Sequence, residues 1–362
     1  LRDVYKRQLL MQIDDILFSE NKYAVLQGVG GIGKTTLAAQ FVHDLFKRKE
    51  KKKIIVIWFN AASRETIEEV YHSKLAPYFS LDRSAYSTQR EFIVDVNLRL
   101  CNLCFDILIV YDNVQQYDDL SPFIDDLFNW YQFRVVLTTK DENLFRDRTN
   151  FTYLRLNLMN EEESVEYLTH SFSKQRLLNK SMAKEFYDYF SATSGEQQQQ
   201  KRGVLPLVLK LAVCLFDENG YWQLNNEKYM SMAKSQAYLG CATNILLENF
   251  SRDSAPYQIL LYLAYLDGSF VSFDLLLDLV NEIYELYLER NQHLNSVAKI
   301  QPDTLNRYLR ELNKRALVEI LHKENNYGVN VHDSIQMIIR EKLRHESPDE
   351  PISNDLVTML NR

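Results

Sequence analysis

The sequence predicts an α/β phosphate-loop NTPase core, a parallel sheet with helices on both faces, followed by an all-helical domain and a winged-helix domain. Three observations predict it. The segment Gly28-Val29-Gly30-Gly31-Ile32-Gly33-Lys34-Thr35-Thr36 fits the phosphate-binding pattern G-x-x-x-x-G-K-[ST]. Strand-like runs alternate with helical patterns as far as Leu156, which is how parallel sheets are built. After Leu156 the pattern turns almost wholly helical and closes on a small hairpin.

The elements follow in order. Residues 9–20 carry Leu9, Leu10, Ile13, Ile16 and Leu17 at helical spacing. Tyr23–Gln27 reads as a buried strand, and Leu37–Val42 after the loop as a helix. Between them the glycines let the backbone curl so that successive N–H groups face phosphate oxygens. The helix N-terminus adds its partial positive charge. Lys34 can then reach the β- and γ-phosphates, and the Thr35 hydroxyl can ligate a magnesium ion. Further strands are expected at Ile54–Asn60, Phe105–Tyr111, Arg134–Thr139 and Thr152–Leu156, with helices at Arg64–Phe79 and Gln89–Leu103. Asn160 and the acidic Glu161–Glu163 predict a capped helix through Phe172. Helices near 181–193 and 205–216 follow, split by the polar stretch Ser194–Arg202, whose Gln197–Gln200 run reads as a surface loop. From Ala255, helices at Ile259–Leu266, Phe273–Glu289 and Leu305–Lys314 precede a hairpin of Leu317–Leu321 with Gly328–Val331. That combination suggests a winged-helix module. A last helix covers Asp333–Arg344, and Ser347–Pro351 begins a linker toward a further C-terminal region. The expected domains are therefore 9–158, 159–250 and 251–346, with 347–362 as linker.

Residues 1–8 are set apart. The chain opens without Met, and Asp3–Gln8 can be back-translated as GAT GTG TAT AAG AGA CAG, which looks like a transposase adapter end. An adapter scar is expected there, with the natural protein beginning upstream. Finding these codons inside a genuine exon would refute the expectation.

Composition narrows the function classes. A chain of 362 residues with 46% hydrophobic content can bury more than one core. A net charge of −7 gives no electrostatic case for general nucleic-acid binding. No apolar run is long enough to span a bilayer, and no signal-peptide pattern is present, so no membrane partner is expected. Four cysteines in so long a chain are not a disulfide framework, and a reducing, cytoplasmic setting is expected.

Ile107–Asp112 is an apolar run ending in a carboxylate, as a Walker B strand does. An Asp at the carboxyl edge of a parallel strand can hold magnesium beside the phosphate loop.

With these residues in place, the chain resembles the NB-ARC group of STAND signal-transducing ATPases, found in plant immune receptors and apoptosome proteins. The resemblance covers roughly residues 9–345. Gly28–Thr36 matches the loop GxGGxGKTT, and Ile107–Val114 resembles the Walker B segment. Val135–Asp141 resembles the sensor segment VLLTTRD. Gly203–Leu209 resembles GLPLAL, and Val331-His332-Asp333 the MHD motif.

The resemblance implies roles by position. Lys34, Thr35 and Asp112 would bind phosphate and magnesium, and Lys140 would face the γ-phosphate. Pro206 would pack near the adenine. His332 would contact the β-phosphate of ADP and lock the winged-helix module. Four departures matter. Asn113 stands where the family has a second acid; an amide can orient water but cannot take its proton, so hydrolysis is expected to be slow. Lys140 replaces Arg and loses the bidentate fork. The glycine of GLPLAL is displaced to Gly203, with Val204 in its place. The upstream adenine-side Gly-Arg-Glu segment is absent, which suits a truncated clone.

Other signals are set aside. Cys101-x-x-Cys104 has no second pair and reads as two thiols at a helix end. Lys47–Lys53 reads as a solvated basic loop. Leu305–Lys314 carries only Arg307, Arg310 and Lys314 as basic residues beside Asp303 and Glu311, so nucleic acid is not expected as a partner.

The implied function is an ATP/ADP-dependent switch. ADP holds it closed through His332; ATP opens it for self-association. Signal and effector partners would act through flanking domains. A conventional ATPase with substantial turnover and a nucleotide-gated transcription regulator are the other readings. Hydrolysis rate and salt-resistant duplex binding would distinguish them.

Overall fold

The structure, a computed structural model, describes residues 4–18, 22–47, 54–103, 105–145, 148–172, 180–191, 203–219, 243, 247, 250–251, 254–266, 270–290, 299–323 and 326–346. Cys104, Arg48–Lys53, Ser194–Arg202 and 347–362 lie outside them, so the thiol pair, most of the basic run, the glutamine loop and the linker are not part of this description. The chain forms two compact units, Leu1–Asn157 and Leu158–Arg362.

In the first unit, α1 (Val4–Leu17) begins within the stretch 1–8 and leads to β1 (Tyr23–Gln27) and α2 (Lys34–Lys47). Then come β2 (Ile54–Asn60), α3 (Arg64–Val70), α4 (Gln89–Cys101), β3 (Asp106–Val114), α5 (Tyr117–Ile124), β4 (Phe133–Thr139) and β5 (Thr152–Arg155). The five strands form one sheet in the order β2-β3-β4-β1-β5, with every pairing parallel.

All residues of β1 are buried, so neighbouring side chains that point to opposite faces are both covered. One face packs Val25, Ile109, Val135 and Leu137 into a cluster with Phe59, Tyr71, Phe92 and Phe123. Within it the Phe59 ring stacks on Tyr111 at 5.0 Å and on Tyr71 at 5.4 Å. Tyr71 opens a π-helical turn, Tyr71–Leu75, that prolongs α3, and its hydroxyl donates to Asn97 Oδ1 at 3.0 Å. A buried phenol needs such a partner.

Register places the site. Gln27 pairs with Thr139 and Arg155, Asn60 with Asp112, and Tyr111 with Leu137. The residues that follow β1, β3 and β4 therefore leave the sheet at one edge, its carboxyl edge, where ligands of open α/β sheets bind.

The second unit contains α6 (Glu161–Phe172), α7 (Lys180–Ser191), α8 (Pro206–Asn219), α9 (Ala255–Leu263), α10 (Phe273–Arg290), α11 (Pro302–Lys314) and α12 (Asp333–Glu346). It also holds the short strand β6 (Val271–Ser272), β7 (Glu319–Lys323) and β8 (Asn326–Asn330). The expected cap of α6 is present: Glu163 N–H donates to Asn160 Oδ1 at 2.9 Å, and Asn160 N–H to Glu163 Oε2 at 2.8 Å. One apolar core runs from Met159 to Ile339 and takes in the buried face of α11, Leu305, Leu309 and Leu312.

The hairpin that the sequence predicts gains a third strand, in the order β6-β8-β7. Val271–Ser272 is too short to show an alternating pattern. A Cβ on Gly328 would lie 2.4 Å from the Val271 carbonyl oxygen and 2.6 Å from the Phe270 ring. Backbone cannot yield that much, so Gly328→Ala is expected to part β6 from β8 and cost about 2 kcal/mol in urea unfolding. A loss under about 0.5 kcal/mol, the scale of an ordinary surface change, would contradict this.

Candidate nucleotide site

The loop between β1 and α2 is shaped by its glycines. Gly28, Gly31 and Gly33 have φ of 150°, 79° and 96°, a region that side chains with a Cβ avoid. A Cβ on Gly28 would also sit 3.1 Å from the Leu156 carbonyl oxygen. Gly30 stays out of that region, whereas Ile32 is buried and pins the loop to the core. Gly33 O accepts from Leu37 N–H at 2.9 Å, so α2 begins at Lys34, a turn earlier than the apolar pattern indicates. Thr35 and Thr36 stand exposed on that first turn.

Lys34 is only 8% exposed, and its ammonium donates to the carbonyls of Gly28 at 2.7 Å and Val29 at 3.0 Å. The carboxylate of Asp112 lies alongside. Its Oδ1 accepts from the Thr35 hydroxyl at 2.8 Å and the Thr138 hydroxyl at 2.6 Å. Burial pushes the Asp112 carboxyl above its ordinary value; the bonds from Thr138 and Thr35 and the charge of Lys34 pull the other way.

Asn113, next in the chain, has φ of 66°, and its N–H donates to Thr138 Oγ1 at 2.8 Å. The β3–β4 ladder shifts register there, between Tyr111 and Val114. β3 thus extends three residues past the sequence expectation, carrying Asp112 and Asn113 with it. Asn is among the residues that best tolerate a left-handed backbone, so its identity has a conformational reason besides the missing acid.

Lys140 follows β4 at the same sheet edge and is exposed. The structure therefore brings together Gly28–Thr36, Asp112 and Asn113, with Lys140 on their edge. Two residues escaped the sequence reading. Thr138 ties Asp112 to Asn113. Gln27, 6% exposed, donates from Nε2 to the Glu142 carbonyl at 3.2 Å and fastens the segment after β4 to β1. The available signal was a polar end to a largely apolar strand, at Gln27 and at Thr138-Thr139.

Pro206 and His332 belong to the second unit. Pro206 opens α8, just after Val204 exchanges two 2.9 Å backbone bonds with Met159. A Cβ on Gly203 would lie 2.6 Å from Leu158 Cβ, which explains why the glycine stands at that position. His332 is exposed and caps α12: its Nδ1 accepts from Ser334 N–H at 3.2 Å and its carbonyl from Ile335 and Gln336. Gln336 and Arg340 in turn donate to carbonyls at the end of α9.

Chemically, the site offers a loop of backbone amides, a buried ammonium, and a hydroxyl and carboxylate 2.8 Å apart. Hard oxygen donors of that kind fit magnesium, which is usually completed by phosphate oxygens and water. Among the described residues no cluster of three or more His, Cys, Asp or Glu could hold a metal, and no helix is long and apolar enough to cross a membrane.

Comparison with known proteins agrees with the geometry. No curated protein matches the sequence. Among solved structures, the chain is similar to a Signal Transduction ATPase with Numerous Domains (STAND) protein with a tetratricopeptide repeat sensor from Pyrococcus horikoshii. The identity is 15% and the TM-score 0.55, over 97% of this chain and 44% of that one. The chain thus spans less than half of that protein's length, and the likeness is one of fold. Cdc6p from Pyrobaculum aerophilum is similar at 16% identity and a TM-score of 0.47, over 95% of this chain and 96% of that one. Residues 6–178 match the model of the NB-ARC domain. That match spans the phosphate loop and the five-stranded parallel sheet, so this part of the chain is similar to an NB-ARC domain.

Proposed function

We propose that this protein is an ATP/ADP-binding switch of a signalling pathway, of the immune or cell-death type, closed with ADP and open and self-associating with ATP. One observation carries the reading: in the part similar to an NB-ARC domain, Asp112 is bonded to the loop hydroxyl of Thr35 beside the buried Lys34. The amides of Gly28–Thr36 and the Lys34 ammonium would bind the phosphates, and Thr35 with Asp112 would hold Mg2+. Bound there, the ion would screen phosphate charge. Lys140, at the edge, would register the γ-phosphate.

Asn113 supports a switch over a motor, because the amide can orient water and cannot accept its proton. In the second unit, residues 159–250 would form the helical domain and 251–346 the winged helix, with α11 leading into the sheet of β6, β7 and β8. Pro206 would lie against the adenine and His332 against the β-phosphate of ADP. His332 already caps α12, so a phosphate contact there would reach a helix anchored to α9.

The test is turnover together with size. Steady hydrolysis is expected near 10⁻³ per second, on the order of an unassisted GTPase. Sedimentation velocity should show larger species with a non-hydrolysable ATP analogue than with ADP, and His332→Ala should give them with ADP as well. Turnover of about 10 per second, the median for enzymes, with no size difference would overturn the reading.

A further inference from the structure

We infer that Thr138 is a positioning residue of the nucleotide site, holding both the carboxylate of Asp112 and the backbone of Asn113 in place for the metal. The inference rests on the reading of Asp112 as a magnesium ligand. Thr138 is 1% exposed and lies on β4, 26 residues from Asp112 in sequence. One hydroxyl makes two bonds: it donates to Asp112 Oδ1 at 2.6 Å and accepts from Asn113 N–H at 2.8 Å. That uses its single proton and one of its lone pairs.

The two bonds act on consecutive residues at a difficult turn. Asn113 is left-handed, with φ of 66°, where the β3–β4 ladder has lost register. Such a conformation persists when its surroundings over-determine it. Here the acceptor for the Asn113 N–H comes from Thr138, and the same oxygen fixes the rotation of the neighbouring carboxylate.

Thr35 donates to the same Oδ1 at 2.8 Å. The carboxylate is therefore oriented from two sides, by the phosphate loop and by β4. Because both hydroxyls spend their protons on Asp112, the Thr35 oxygen retains lone pairs with which to accept a cation.

Thr138→Val keeps the shape and removes both bonds; Thr138→Ser keeps the hydroxyl. The experiment is equilibrium titration of a fluorescent ADP analogue with magnesium and with EDTA, on wild type and both variants, each checked by melting curve. In wild type, magnesium is expected to tighten binding. Thr138→Val should lose about tenfold or more of that increment, the scale of losing a residue that orients a metal ligand. Its affinity in EDTA should stay within about twofold of wild type, since the phosphate loop itself is untouched. Thr138→Ser should restore most of the increment.

A merely structural threonine would lower stability and leave the magnesium increment alone, so a Thr138→Val protein with the full increment overturns the inference. If the valine variant does not fold, Thr138→Ala carries the same comparison with the same two outcomes. A wild type that binds the analogue equally with and without magnesium overturns the reading of Asp112 and the inference with it.

Discussion

Lys34→Ala is expected to lower affinity for ADP and ATP by about a hundredfold. The ammonium is the charge nearest the loop carbonyls, bonded to Gly28 O at 2.7 Å and Val29 O at 3.0 Å. A hydrogen bond to a charged group contributes about 1.5–3 kcal/mol, and about 2.7 kcal/mol corresponds to a hundredfold in affinity. Glycine adopts those φ values without help and alanine suits the first turn of α2, so the variant should remain folded, which a melting curve checks. Direct titration of nucleotide into both proteins measures the effect. Affinity within about threefold of wild type would mean that the phosphates, with their charge, do not meet this lysine.

Asp112→Asn is expected to separate stability from function. Burial raises the Asp112 carboxyl pKa above its unfolded value. The folded chain then holds the proton over a pH window in which the unfolded chain has released it. By linkage, stability falls as pH rises through that window, and above it the penalty is fully present. An amide of the same shape carries no charge to desolvate, and its Oδ1 can still accept from Thr35 and Thr138.

The ligand-free variant should therefore melt a few degrees higher above that window, with a shallower loss of stability across it than wild type. The same change removes the anionic magnesium ligand, and the magnesium-dependent part of nucleotide affinity should fall by about a hundredfold. A lower melting temperature with intact magnesium dependence would contradict both halves.

Much of this site was legible because its parts are local. Gly28–Thr36 is contiguous, and its left-handed backbone at Gly28, Gly31 and Gly33 is written into the glycines themselves. The strand runs were also legible, since a strand buried on both faces is apolar throughout, as Ile107–Tyr111 is. Strand order was not legible. β1 pairs with β4 and β5, and no pattern within a strand names its neighbour.

Thr138 escaped for the same reason: its partners lie across a strand pairing, and threonines near the end of a strand are ordinary β composition. The extension of β3 through Val114 includes a register shift against β4, which periodicity cannot show. In the second unit the cap at Asn160 was readable from four residues. β6 was hidden, because two residues make a strand only when β8 is there to pair with them.

Amide hydrogen exchange on the wild-type chain, with and without saturating MgADP, tests most directly whether an adenine nucleotide occupies this loop. The amides of Gly30–Thr36 and of Asp112 and Asn113 should become protected together, and Lys34→Ala at the same nucleotide concentration should show no change there. Saturable binding with protection elsewhere and none in the loop would contradict the account.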